Sequence, residues 1–278
     1  MKHTAQTAIE DFEHMFQSLA PYKHRYEVFR DFVTMAACSL HNGIRPDQTR
    51  EDEYLGIIQS YERNDQLTFP KLLGSLVQAL EPEPRDILGL LYMDMEIQNK
   101  TAGQFFTPTE ISQLMAAISF ADLEKTLHHR PFVSVSEPTC GAGGMILALV
   151  KQMIDAGHNP MERLWVQCID VDRLAALMCY VQLSLWNVPA EVIVGNTLTW
   201  QHREVWYTPA YYLGSWQIKL ATHEVAQQFF VSDPDRLVQD TSIDPETIHT
   251  VSLDEADAKP EDQTARPATK PAQLGFEF

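Results

Sequence analysis

Apolar residues recur at helical spacing through the first hundred positions of the chain. Ile9, Phe12, Phe16 and Leu19 form one stripe, and Tyr22, Tyr26, Phe29, Val33 and Ala36 form the next. Tyr54, Leu55, Ile58 and Tyr61 make a third. Leu72, Leu73, Leu76, Val77 and Leu80 make a fourth, opened by Pro70 and closed before Pro82. A fifth, short helix is predicted over 85–95. The aromatic residues in these stripes are read as core.

After Thr101 the rhythm changes. Thr107-Pro-Thr-Glu110 reads as a helix start, with Thr107 as cap, Pro108 in the first turn and Glu110 completing a capping box. Ile111, Leu114, Met115 and Ile118 are the predicted buried face of that helix. A strand (132–137), a glycine turn, a helix (145–154), a strand (164–170), a helix (174–185) and a strand (191–194) then follow in order. Strands alternating with helices across short loops predict an α/β layer fold with a parallel sheet, which binds ligands at the carboxyl ends of its strands. Val205-Trp206-Tyr207 is a candidate fourth strand, and the thirty or so residues between Asn196 and the tail leave room for little more sheet. The expected organisation is a helical region over 1–100, an α/β domain over 101–230 and a tail over 231–278. That tail is rich in Asp, Glu, Pro, Thr and Ala, too polar to offset the entropy of ordering, and is expected to be disordered.

Charge narrows the picture. The chain of 278 residues carries a formal net charge of −17. Counting 11 acidic and 4 basic residues from Val231 onward leaves −10 on residues 1–230. A protein that grips DNA alone shows a basic excess, because phosphate neutralisation supplies most non-specific affinity. A DNA-directed role for this chain therefore calls for a basic partner or a local patch. No apolar run approaches the length of a membrane span, the opening residues lack a signal-peptide pattern, and a cytoplasmic location is expected. Cys38, Cys140, Cys168 and Cys179 have no metal-ligand or disulfide spacing and read as reduced thiols; His128 and His129 read as exposed loop residues, so no metal is expected.

The candidate chemistry centres on "VSVSEPTCGAGGMILALV". A strand ends in Glu137, turns through Pro138–Gly144 and enters an apolar helix. Glycine lets the backbone pass close to a ligand. The third glycine of the dinucleotide fingerprint is missing, with Ile146 in its place. An acidic strand end suits a ligand with a cationic near end, such as the sulfonium and ammonium groups of S-adenosylmethionine. Asp170 ends the next strand, where a carboxylate can accept both hydroxyls of a ribose, and Asn196 ends the third, within reach of an adenine ring.

"GQFFTP" at 103–108 followed by "EPTCGAGG" at 137–144 resembles the adenine-specific DNA methyltransferases, particularly the methylation subunit of type I restriction–modification systems. The likeness runs from about Thr101 to Leu198. It implies a Rossmann-like S-adenosylmethionine-dependent methyltransferase core, apparently truncated, behind an N-terminal helical region. Carried over by position, Gln104, Phe106, Thr107, Glu137, Gly141, Gly143, Asp170 and Asn196 would line the cofactor, and Cys140 matches a common family residue without needing a nucleophilic role. In the family an Asn-Pro-Pro-aromatic motif follows. A flipped adenine stacks on its aromatic ring while the amide and a backbone carbonyl accept hydrogen bonds from the exocyclic amine.

This chain has no Asn-Pro-Pro. Its best match is Thr208-Pro209-Ala210-Tyr211, 12 positions after Asn196, with Tyr211 as the stacking ring and Thr208 and Pro209 beside it. A hydroxyl in place of the amide removes an acceptor aimed at the transition state, a loss on the order of 3 kcal/mol. The resemblance thus implies an adenine-N6 DNA methyltransferase that reaches DNA through a partner subunit. The alternatives are a catalytically inactive cofactor-binding scaffold derived from one, and a packed core edge at 208–211. Finally, "QLGFEF" at the end, with Gln273, Leu274, Phe276 and Phe278, is similar to peptides that dock on the bacterial replication sliding clamp.

Overall fold

The helical stripes become helices near their expected places, except that Tyr22 and Tyr61 lie outside them and Tyr22, expected in the core, is exposed. In a computed structural model that describes residues 2–95 and 106–223, α1 (Lys2–Ser18), α2 (Arg25–Asn42), α3 (Gln48–Ile58), α4 (Arg63–Gln66), α5 (Phe69–Leu80) and α6 (Ile87–Asp94) come first. The starts of α2, α3 and α6 are set by side chains that accept orphan backbone N–H groups. Asp47 caps α3 through Thr49 and Arg50, and Asp86 caps α6 through Gly89. α1 packs on α5, α2 on α3, and both α2 and α6 on a later helix of the α/β region. Phe12, Phe16, Phe29, Leu72 and Leu88 belong to the same buried cluster as Leu147, Val166 and Val192, so the helical and α/β regions share one core.

The α/β part runs α7 (Thr109–Leu127), β1 (Val133–Glu137), α8 (Gly144–Asp155), α9 (Pro160–Arg163), β2 (Leu164–Asp170), α10 (Arg173–Leu185), β3 (Ala190–Asn196), β4 (Gln201–Tyr207) and α11 (Pro209–Leu213). The sheet has the order β1-β2-β3-β4, with β1, β2 and β3 parallel. β4 is antiparallel to β3, a departure from the all-parallel expectation. Residues 197–200 are too few for a crossover, which needs a dozen or more, so the chain can only fold back as a hairpin. β4 therefore occupies the outer edge of β3, and among the described residues no strand pairs with the free edge of β1. The helical region holds the hairpin there. The Arg50 guanidinium lies 3.5 Å from the Trp206 ring centre and donates to Val205 O (2.9 Å). Arg173 of α10 bridges Glu53 of α3 (2.9 Å) and Glu204 of β4 (2.7 Å).

Side-chain alternation sends Leu164, Val166 and Cys168, with Val192 and Val194, to one face, where α10 packs and is buried along almost its whole length. The opposite face is crossed at one level by a polar ladder. Ser136 donates to Gln167 (3.4 Å), Gln167 to Glu191 (2.9 Å) and Tyr207 to Glu191 (2.6 Å), all residues in direct register.

Two local expectations at α7 change. The cap position is Pro108 and no side chain bonds the first turn, so Thr107 and Glu110 form no capping box. The buried face is Ser112, Ala116, Phe120 and Leu127, whereas Ile111, Leu114 and Ile118 are exposed at 48%, 59% and 66%. The helix is apolar on both sides, and the side that packs against α8 is the buried one. His128 and His129 are exposed, as expected. Residues 217–223 begin a second unit and are helical; the tail expected over 231–278 lies outside the described residues.

One buried side chain joins these layers. Gln182 of α10 is fully buried, and its Nε2 donates to Asp86 Oδ1 (2.9 Å) and Ala142 O (2.8 Å). Its Oε1 accepts from the N–H groups of Ile87 (2.7 Å) and Leu88 (3.1 Å). Gln182→Leu keeps the volume but strands two N–H groups and a carbonyl away from water. It is expected to lower unfolding free energy by on the order of 3 kcal/mol, read as a lower urea midpoint at unchanged slope.

Candidate functional site

The carboxyl ends of β1, β2 and β3 bring together the glycine turn, Asp170 and Asn196. The turn closes through Cys140 N–H to Ile169 O (2.9 Å) and Gly143 N–H to Cys140 O (2.8 Å). Gly141 and Gly143 have φ of 53° and 93°, the left-handed region that disfavours side chains. Space adds a second constraint. A β-carbon on Gly141 would sit 3.1 Å from the Phe106 ring, and one on Gly143 would sit 2.9 Å from Cys179 Sγ. Phe106 is in turn braced edge-on by Tyr92 at 5.7 Å.

Asp170 is buried and shapes the turn directly. Its two oxygens accept from Gly141 N–H and Asp172 N–H, each at 2.8 Å, leaving further lone pairs for a ligand's hydroxyls. Glu137, at the end of β1, accepts only a long bond from Thr139 N–H (3.4 Å). Burial raises both carboxyls above the usual range, against the N–H bonds that lower them, and their mutual proximity raises Glu137 further. Among the described residues neither carboxyl has a basic partner, and two desolvated carboxyls are poised for a cation. Asn196 Oδ1 accepts from Leu198 and Thr199 N–H groups, so its NH2 is the free donor. Thr197 donates to Pro138 O (2.5 Å) and ties this loop to the glycine turn.

Beside the turn lies a cavity of about 170 Å3 lined by Asp86, Met93, Phe106, Thr107, Ser112 and Gly144 among others. The Ser112 hydroxyl is buried there with no hydrogen-bond partner among the described residues. Sequence reasoning missed Ser112, which lies among the polar residues Thr109, Glu110 and Gln113 of the first turns of α7; its signal is its place after the 103–108 motif. Of the expected cofactor residues, Phe106, Thr107, Glu137, Gly141, Gly143, Asp170 and Asn196 thus cluster at this end of the sheet. Gln104 lies outside the described residues.

The expected catalytic residues do not join them. Because β4 runs antiparallel, Tyr207 pairs with Glu191 at the amino end of β3, and Thr208, Pro209 and Tyr211 follow at that end, opposite the glycine turn. Thr208 is fully buried; its Oγ1 donates to Val188 O (2.7 Å) and accepts from Ala190 N–H (2.9 Å). Pro209 is buried, and Tyr211 stacks on Tyr207 at 4.4 Å and tilts against Trp165 at 5.5 Å. These residues pack the sheet's far end, the core reading of that stretch. Thr208→Val is accordingly expected to lower stability by about 1–3 kcal/mol in urea denaturation, through the stranded Ala190 N–H, with the glycine-turn end unaffected.

With the geometry in view, residues 85–222, about half of the chain, match the family model for N-6 DNA methylase. No curated protein matches the sequence. Among solved structures, the chain is similar to a candidate class I S-adenosylmethionine-dependent methyltransferase of Listeria monocytogenes. The two share 16% identity at a TM-score of 0.41, over 68% of this chain and 52% of the other. The chain thus spans about half the length of that protein.

Proposed function

We propose, from the premise that residues 85–222 belong to the N-6 DNA methylase family, that the chain is the cofactor-binding half of an adenine-N6 DNA methyltransferase and needs a partner to complete the reaction. The family implies S-adenosylmethionine as methyl donor and DNA as substrate. The observation that carries the reading is the split in the sheet: the cofactor elements gather at the carboxyl ends of β1–β3, while the candidate catalytic residues pack the opposite end.

The residues present fit the cofactor. Gly141 and Gly143 hold the turn in left-handed backbone packed tightly against Phe106 and Cys179, Asp170 offers lone pairs to ribose hydroxyls, and the Asn196 NH2 can donate to a ring nitrogen. Glu137 and Asp170 are desolvated carboxyls that a cationic ligand would neutralise. Gln104, Phe106 and Thr107 belong to the motif expected to close over the methionine end. When bound, S-adenosylmethionine supplies an electrophilic methyl group, and the residues here hold and orient it. The acceptor pocket for a flipped adenine, and the positive charge that a chain of −17 lacks, fall to the partner. The setting would be a restriction–modification system, in the cytoplasm. Among the described residues no helix is long and apolar enough to cross a membrane.

Calorimetric titration tests the cofactor site. S-adenosylmethionine is expected to bind with a Kd in the micromolar range, about −8 kcal/mol. Asp170→Asn keeps the size but can accept only one of the two N–H bonds that Asp170 takes, so it should weaken binding at least tenfold and also lower the Tm, with circular dichroism confirming that the fold is retained. The sign of the pH effect follows from the raised carboxyls: a cation binds their ionised form, so affinity should rise as pH climbs from just above the ordinary carboxylate range (~4) and level off once both are ionised. Equal affinity in the variant, or no binding, sinks the reading. Binding without methyl transfer to DNA, in the presence of host extract, would favour the second reading, a catalytically inactive cofactor-binding scaffold; the burial of Thr208 supports it.

The sliding-clamp contact through Gln273, Leu274, Phe276 and Phe278 belongs to the same proposal and lies outside the described residues. Deleting 273–278 should abolish clamp capture in a pull-down; undiminished capture removes the contact.

A further inference from the structure

Directly beneath the glycine turn, three cysteines from three different elements converge. Cys140 comes from the turn itself, Cys168 from β2 and Cys179 from α10, and their three Sγ atoms all lie within 4.8 Å of one another. Each is a free thiol, with exposures of 6%, 0% and 0%. The thiol hydrogen bonds within the cluster pull each group in opposite directions, one lowering and one raising it, and burial then holds all three well above the usual thiol range, so the cluster as it stands is neutral. Neither the Cys-x-x-Cys spacing nor any other pattern along the chain announces it, because the register of two strands and a helix crossing creates it.

From this juxtaposition we propose that Cys140, Cys168 and Cys179 form a closed binding site for a soft, thiophilic d10 metal ion, copper(I) in the first instance. The ligand set argues for softness: among the described residues no imidazole or carboxylate oxygen joins the group, and thiolate-only sites select copper(I) and zinc over hard cations. Ligand number argues for copper(I). A structural zinc ion takes four ligands in a tetrahedron, whereas three sulfurs are a complete set for a three-coordinate monovalent ion. A way in exists at the turn. Cys140 is the least buried of the three, and its neighbour Gly141 lies under the Phe106 ring, which lines the adjoining cavity.

Metal entry is an exchange of one cation for protons, with no redox change. Copper(I) bound with loss of two thiol protons leaves the site at −1; loss of all three would leave −2 beside the buried Asp170 and Glu137 carboxyls. Burial favours the first, with one sulfur remaining a protonated ligand. The bound ion would fasten the glycine turn to β2 and α10 at the sulfurs themselves. Cys38 is not part of this: it contacts Glu53 at 3.9 Å, and burial raises it to about 12.

The test uses the full chain, reduced and kept anaerobic, titrated with copper(I) in competition with a chromophoric copper(I) chelator, and in parallel with zinc(II). One copper(I) per chain is expected, with an ultraviolet thiolate-to-metal charge-transfer band and a Kd that tightens roughly a hundredfold per pH unit for two released protons. Cys140→Ala and Cys179→Ala should each lose stoichiometric binding, and Cys38→Ala should keep it. Circular dichroism of each variant separates a lost site from a lost fold. The wild-type titration decides the matter even where a variant fails to fold. No stoichiometric uptake of either metal by the reduced wild-type chain overturns the site, as does binding that survives in both cluster variants. Zinc(II) bound in preference to copper(I) overturns the three-coordinate assignment.

Discussion

The four hydrogen bonds of Gln182 are the constraint on which the site depends. One amide group, removed from water, fixes the carbonyl of Ala142 in the glycine turn, the Asp86 cap and the first N–H groups of α6. Every donor and acceptor of the amide is used, so the arrangement has one geometry and no partly satisfied alternative. The turn is therefore held from behind by α10 before any ligand arrives. Asp170 holds it from the front, through Gly141 N–H. This is preorganisation of the kind that lowers the ordering cost of binding. It also explains why the helical region cannot be read as an appendage: α6 and α2 pack on the helix that carries Gln182.

A second constraint is the short connection after β3. Four residues commit β4 to a hairpin, and that decision carries Thr208, Pro209 and Tyr211 to the wrong end of the sheet for chemistry at the glycine turn. β1 keeps a free edge among the described residues, and α7, which packs beside it, presents Ile111, Leu114 and Ile118 outward. The polar ladder from Ser136 to Tyr207 gives one face of the sheet a character unlike the apolar runs of a parallel sheet buried on both sides.

The parts of this fold that were legible in the sequence are those governed by local periodicity and turn chemistry. The helix and strand positions, and the gathering of Glu137, Gly141, Asp170 and Asn196 at one end, follow from strands alternating with helices. The misreadings have a common origin in tertiary choices that a local pattern does not encode. α7 is apolar on both sides, and only packing against α8 decides that Ser112 and Ala116 face inward. Tyr211 resembles a stacking residue by its neighbours in sequence, yet strand direction places its ring against Trp165. The direction of β4 was nonetheless readable in principle, since four residues cannot make a crossover.

Burial does the same physical work twice at this end of the molecule. On one side it shifts two carboxyls toward their neutral forms, and at the cysteine cluster it does so for three thiols. Both sets are acids whose burial disfavours the anion, and among the described residues neither set has a basic partner. Each set suits a cation of its own kind: oxygen ligands for a diffuse organic charge, sulfur ligands for a compact soft metal. Glu137 and Cys168 are register partners and Asp170 follows Cys168 by two residues on β2, so the two sets are neighbours along the same strands. In a chain of −17, cation binding at this turn also relieves like-charge repulsion. The same excess makes nucleic acid the one ligand such a chain is least equipped to hold alone.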